Sequence, residues 1–230
     1  VLQLFHKVTT YLSFPDLPKV VSVICTVIIG LVAGGIAGAI PGVLRAYLGT
    51  SEVIVTIMMN YIIWYVAYNI IRFGFTADML RSSEASNKVV ASASYQTEFL
   101  SQITGGSRFN IGFFLALAAA FLVWFLLKKT TTGFEITSVG LNPHASEYAG
   151  MSSKRVIIMS MIISGALCGL GGTVEGLGTF QNVFVQNASL AIGWNGMAVA
   201  LLASNSPIGI PFAALLYGVL SIGKSGMIGV

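Results

Sequence analysis

The chain has 230 residues, 55% hydrophobic and only 9% charged, with a formal net charge of +4 at pH 7. That balance excludes a conventional soluble domain, and apolar runs close to membrane-crossing length make the bilayer its solvent. So few charges, net positive, suit loops meeting anionic headgroups better than a nucleic-acid surface. Both cysteines, Cys25 and Cys168, fall inside apolar runs, so neither a disulfide nor a metal site is indicated.

Residues 1–19 are mixed, with Pro15 and Pro18 marking an irregular entry, and no signal peptide can be read from them. Residues 20–40 carry no charge and predict a first span. Gly30, Gly34, Gly38 and Gly42 recur every fourth residue, a small-residue face that lets another helix approach closely. Residues 41–52 read as a short connection carrying Arg45. Residues 53–71 predict a second span, with Asn60 near its middle and Tyr61, Trp64, Tyr65 and Tyr68 at helical spacing. A buried amide is unfavourable unless paired, so Asn60 must face protein or a water-filled path. An amide beside aromatic rings would suit the passage of a flat polar solute. The plainer alternative is an interhelical hydrogen bond beside an aromatic packing stripe.

Residues 72–110 are polar and read as an aqueous loop with a short helix around residues 95–103. Residues 111–127 predict a third span ending at Lys128 and Lys129, and 156–174 a fourth with Gly165, Gly169 and Gly172. Glu175 closes that span, either as a functional ligand or as an interfacial charge reaching water. The last region breaks the pattern. Residues 197–203 are apolar but too short to cross, Ser204 to Pro207 interrupt, and 208–222 are apolar again, with Asn195 and Asn205 flanking the first piece. Broken segments at membrane depth are tolerated only inside protein or along a cavity, and they point to a transport path.

The connection at 130–155 organises the rest. Asn142 suits an N-cap, Pro143 the first helical position and Gly150 a left-handed terminus, predicting about two turns of helix over 143–149. Lys128–Lys129 and Lys154–Arg155 hold that helix at a membrane surface, where it is available for contact. The long loop also carries Arg72, Arg81, Lys88 and Arg108, among Asp78, Glu84 and Glu98. The doublets right beside the spans therefore decide the side, and they place 128–155 in the cytoplasm and 72–110 outside it.

Residues 218–225, GVLSIGKS, match the phosphate-loop pattern but lack the strand, helix and acidic residue that such a loop needs. The triplet at Asn187 matches a glycosylation sequon by pattern alone. His6 and His144 have no metal-spaced partners, and no nucleophile, base and acid can be assembled from spacing. The chain does not read as an enzyme.

Four segments carry a resemblance: SEVIVTIMMNY at 51–61; GFEITSVGLNPHASEYAG at 133–150; SGALCGLGGTVEGLG at 164–178; and GMAVALLASNSPIG at 196–209. Together they resemble the permease subunits of bacterial ATP-binding-cassette (ABC) importers, in the branch for simple sugars and nucleosides, related to the branched-chain amino acid permeases. Where that family usually has a Gly-Arg-Asn-Asn/His-Pro-like run, this chain reads ASNSP at 203–207 and lacks the arginine. The resemblance implies an all-α polytopic membrane protein of four full spans plus a broken, short hydrophobic helix pair. It makes residues 1–230 a single permease domain and a fragment of a larger permease in the bacterial cytoplasmic membrane.

A cytoplasmic ABC ATPase pair, which binds ATP and Mg so that this chain holds no cofactor, would dock below. A second permease subunit would complete the pore within the lipid bilayer, and an extracytoplasmic solute-binding lipoprotein would deliver a nucleoside or simple sugar. Coupling to the ATPase would fall to Gly133, Phe134, Glu135, Gly140, Asn142, Pro143, Ala145, Glu147, Tyr148 and Gly150. The translocation path would fall to Asn60, Tyr61, Trp64, Glu175, Asn195 and Asn205. The alternatives are an ion-gradient-driven secondary transporter or channel, and a purely structural subunit. The first is disfavoured because the four spans carry no ionisable group between their flanking charges, the second because a scaffold has little use for a broken segment.

Overall fold

The two small-residue rows meet each other. In a computed structural model describing residues 19–74, 80–82, 85–86, 94–96, 110–181 and 192–228, the first helix α1 (Lys19–Leu48) lies antiparallel against α6 (Ser153–Val174). A Cβ on Gly34 would fall 2.8 Å from Gly169 Cα, one on Gly38 2.9 Å from Gly165 Cα, and one on Gly42 2.9 Å from Met161 Cβ. Backbone therefore touches backbone along much of the pair, which gains dispersion contacts and weak Cα–H bonds where lipid gives no hydrophobic drive. Gly172 is not what continues the α6 row. The next step of four after Gly165 and Gly169 is Thr173, whose Cγ2 occupies the space that a Cβ on Gly30 would need.

Helix α1 runs on through Pro41 to Leu48, so the connection expected at 41–52 shrinks to residues 49–51. A proline removes one ladder bond without ending a helix in a membrane, where no other backbone arrangement satisfies the remaining groups. Gly49, at φ +63°, makes the actual turn, and Arg45 clamps it, its Nη1 donating to Thr50 O at 2.9 Å and its Nε lying 3.5 Å from Glu52 Oε2. Helix α2 (Glu52–Gly74) follows, and a small antiparallel pair joins β1 (Leu80–Ser82) to β2 (Ala85–Ser86).

Helix α3 (Gly112–Lys129) starts where Asn110 Oδ1 accepts from Gly112 N at 2.9 Å, and it ends on Lys128 and Lys129, a favourable charge at a helix C-terminus. Two helices then occupy this connection: α4 (Thr131–Leu141), which the sequence does not predict, and α5 (Pro143–Tyr148), which it does. After α6 the chain widens into a π-helix (Glu175–Phe180), followed later by α7 (Ile192–Leu202) and α8 (Gly209–Ile228).

Among the described residues, three helices are long and apolar enough to cross a membrane: Val20–Leu48, Gly112–Lys129 and Ser153–Phe180. The expectation of four full spans is thus met by three. Helix α2 has the length, about 35 Å at 1.5 Å per residue, but Asn60, Tyr61, Trp64, Tyr65, Tyr68 and Asn69 lower its apolar character. The expected broken pair is present, with α7 too short to cross by itself. Large apolar side chains such as Ile36, Phe121, Leu122 and Val219 stand exposed, as lipid-facing side chains do. Most of the loop expected at 72–110 lies outside the described residues. Of its expected helix, Tyr95 and Gln96 are described and are not helical. His6 and the triplet at Asn187 also lie outside the described residues.

Candidate functional site

At the α3–α4 turn, Thr130 Oγ1 donates to Leu126 O at 2.6 Å and accepts from Gly133 N at 3.1 Å, capping α4. Gly133 sits so close that a Cβ there would fall 2.6 Å from Leu127 Cα, so α4 can fold back on α3 only with glycine at this position. Asn142 then does two things. Its N–H closes α4 on Ser138 O at 3.0 Å, and its Oδ1 accepts from Ala145 N at 3.1 Å to open α5, with Pro143 at the first helical position. Gly150, at φ +84°, ends the unit while Met151 N reaches back to Ser146 O at 3.0 Å.

The unit has an anchored side and a free side. Val139 and Ser146 are buried, and Ser153 Oγ donates to Pro143 O at 3.3 Å, fastening the start of α6 to α5. On the other side Tyr148 is 95% exposed, Leu141 84% and Phe134 63%. Ala145 and Glu147 are exposed, and Glu135 is half-buried. An exposed apolar and aromatic group of this size, on backbone held by caps at both ends, is the form of a protein contact surface. Gly140 does not share the role of Gly133: nothing lies within 4 Å of a Cβ built there. Lys128, Lys129, Lys154 and Arg155 are exposed around the unit, and Lys154 Nζ lies 5.4 Å from the Tyr47 ring centroid.

The six residues expected along a path lie on separate elements: α2, the π-helix, α7 and the turn after it. Asn60 and Tyr61 stand exposed on α2, and half-buried Trp64 lies beside Tyr65, the ring centroids 4.9 Å apart and the planes inclined by 56°. Glu175 begins the π-helix and accepts from Thr179 Oγ1 at 3.2 Å. Asn195 accepts from the Tyr217 hydroxyl at 3.0 Å, bracing α7 against α8. Asn205 works through its backbone: with Ser204 it adopts positive φ, and its N–H returns to Ala200 O at 2.8 Å, ending α7. The residues of the phosphate-loop look-alike, 218–225, lie within α8, whose amides are engaged in the helix. No cluster of three potential metal ligands occurs among the described residues.

A second polar constellation, which spacing did not reveal, lies at the opposite end of α6. Tyr95 is fully buried, with its hydroxyl 2.9 Å from Thr26 Oγ1. Thr26 already donates to Val23 O at 2.7 Å, so the phenol is the donor in that pair. Burial pushes the Tyr95 hydroxyl above its ordinary range, and the bond to Thr26 pulls it partly back, so it stays neutral. Around it Tyr95 N donates to Leu177 O and Ile111 N to Tyr95 O, both at 3.2 Å. Gln96 Nε2 donates to Gly178 O at 3.1 Å and Gln181 Nε2 to Ser94 Oγ at 2.8 Å. The available signal was small: Thr26 extends a small-residue row by one more step of four.

The chain matches the family described as branched-chain amino acid transport system / permease component over residues 4–230. It is 51% identical over 218 residues to the nucleoside ABC transporter permease protein NupB of Lactococcus lactis subsp. cremoris, covering 94% of this chain and 60% of the relative. It is 46% identical over 185 residues to the guanosine ABC transporter permease protein NupP of Bacillus subtilis, covering 80% of this chain and 52% of the relative. A glucose ABC transporter permease protein of Haloferax volcanii is 34% identical over 118 residues, 51% of this chain and 31% of that protein. The chain therefore spans about half to three-fifths of the length of the first two relatives. No solved structure matches it.

Proposed function

This chain belongs to the family of permease components of branched-chain amino acid transport systems, and on that premise we propose that it moves a nucleoside across the cell membrane, driven by a partner ATPase. It is a multi-pass membrane protein. The observation that carries the transport mechanism is α5: a capped six-residue helix with Tyr148 almost wholly exposed, fastened to α6 through Ser153. Residues 128–155 face the cytoplasm, where α5 seats in a cleft of the ATPase. ATP and Mg bind and react in that partner. Closure of the ATPase pair displaces α5, the bond to Pro143 and the Gly150 turn pass the displacement to α6, and the glycine contact carries α1 with it.

A second permease subunit and the spans that this chain shares with it complete the pore, with α2 as a further span whose amide and aromatic rings face that partner or the path. An extracytoplasmic solute-binding protein supplies the solute. Two relatives named for nucleoside and guanosine transport support a nucleoside over a simple sugar. The test is uptake of labelled guanosine and labelled glucose by vesicles containing the full complex. Uptake of guanosine that requires ATP inside the vesicle and survives ionophores supports the reading. Uptake that collapses with the ion gradient and ignores ATP would transfer the protein to the secondary-transporter class.

A further inference from the structure

The Ser94–Gln96 segment joins three stretches of helix that are distant from one another in sequence. Through Tyr95 and Gln96 it meets α1 at Thr26, the π-helix that continues α6 at Leu177 O and Gly178 O, and the start of α3 at Ile111 N. The last carbonyls of a helix have no partner within it. Here two of them, Leu177 O and Gly178 O, are satisfied by a segment about 80 residues upstream. Gly178 fits only because it lacks a side chain, since a Cβ there would fall 2.8 Å from Asn110 Cγ. The knot stands at the end of α1 and α6 remote from α5, because Gly42 meets Ile158 and Met161 while Gly30 meets Gly169.

We propose that Tyr95 is a positioning residue that pins the outer ends of α1, α3 and α6 together, so that α1 and α6 tilt as one lever when α5 is displaced. The inference rests on the transport reading above. Glycine-on-glycine contact resists separation but offers little directional bonding against sliding or rotation, and the pin supplies it at the lever's far end. Without the pin, displacement of α5 is absorbed as slip between α1 and α6, and the outer end of the path does not follow.

The test uses the intact permease assembled with its ATPase in vesicles, comparing Tyr95→Phe, Thr26→Val and Thr26→Ser with the unaltered complex. Two quantities are read: solute moved per ATP hydrolysed, and hydrogen exchange at the amides of Tyr95 and Ile111. Tyr95→Phe and Thr26→Val are expected to lower the transport ratio several-fold with hydrolysis near the unaltered rate. Exchange at the two amides should quicken about fivefold, the measure of one neutral hydrogen bond, and Thr26→Ser should restore both quantities. An unchanged ratio, or uptake and hydrolysis falling in parallel, overturns the proposal. The exchange readout needs no solute, so a complex that moves no nucleoside counts against the transport reading while exchange still decides the pin.

Discussion

Ser153 donates its hydroxyl to the carbonyl of Pro143 at 3.3 Å, so the first turn of α6 is fastened to the first residue of α5. A surface helix that only decorated a loop would have no need of that bond. Net hydrogen bonds of this kind contribute about 1 kcal/mol, or roughly a factor of five in an equilibrium. Ser153→Ala should therefore lower uptake per ATP by about fivefold at most while leaving assembly with the ATPase intact. Parallel measurement of uptake and hydrolysis checks this.

The local caps of α5 should be separable from its surface. Asn142→Ala removes the bond to Ala145 N, a loss of about 1 kcal/mol for an N-cap, whereas Asn142→Asp or Asn142→Ser should be nearly neutral. Gly150→Ala forces a Cβ into the left-handed region at φ +84°, a strain of about 1–2 kcal/mol. Susceptibility of 143–150 to protease in membranes should rise in Asn142→Ala and Gly150→Ala and stay unchanged in Asn142→Asp.

Glycines on the α1–α6 contact should behave unlike glycines facing open space. Gly169→Ala places a Cβ 3.0 Å from Gly34 Cα and onto Gly30 O, and overpacking of this kind is unfavourable by about 1–3 kcal/mol. Gly140→Ala and Gly171→Ala meet nothing within 4 Å and trade a poor helix former for a good one, a gain of about 0.5–1 kcal/mol. Thermal unfolding of the solubilised complex should fall by several degrees for Gly169→Ala and hold or rise for the other two.

These features differ in how far they could be read from residue order. The α5 cap was legible because Asn142, Pro143 and Gly150 act within a few residues of one another. Both glycine rows were legible as contact faces, but nothing local says that they face each other, or that Thr173 rather than Gly172 completes the second. Helix α4 was missed because Thr131, Thr132, Gly133, Thr137 and Gly140 are poor helix formers. Its stability comes from the Thr130 cap and the close approach of Gly133 to α3. Pro41 was read as a terminator, which the bilayer overrides. Tyr95 could not be found at all, since its partners lie 69 and about 80 positions away and no periodicity connects them.

The central claim is that α5 transmits ATP-driven work to the spans through its exposed face, and Tyr148 is the side chain most committed to that face. The direct measurement is guanosine uptake and ATP hydrolysis side by side in vesicles holding the full complex, with Tyr148→Ala and Glu147→Ala compared with the unaltered chain. Truncating an aromatic side chain that serves as an interface hot spot loses about 2 kcal/mol or more, about 30-fold. The account predicts that uptake falls at least about tenfold while basal hydrolysis and affinity for the solute-binding protein persist. Uptake that stays at the unaltered level in both variants would contradict it.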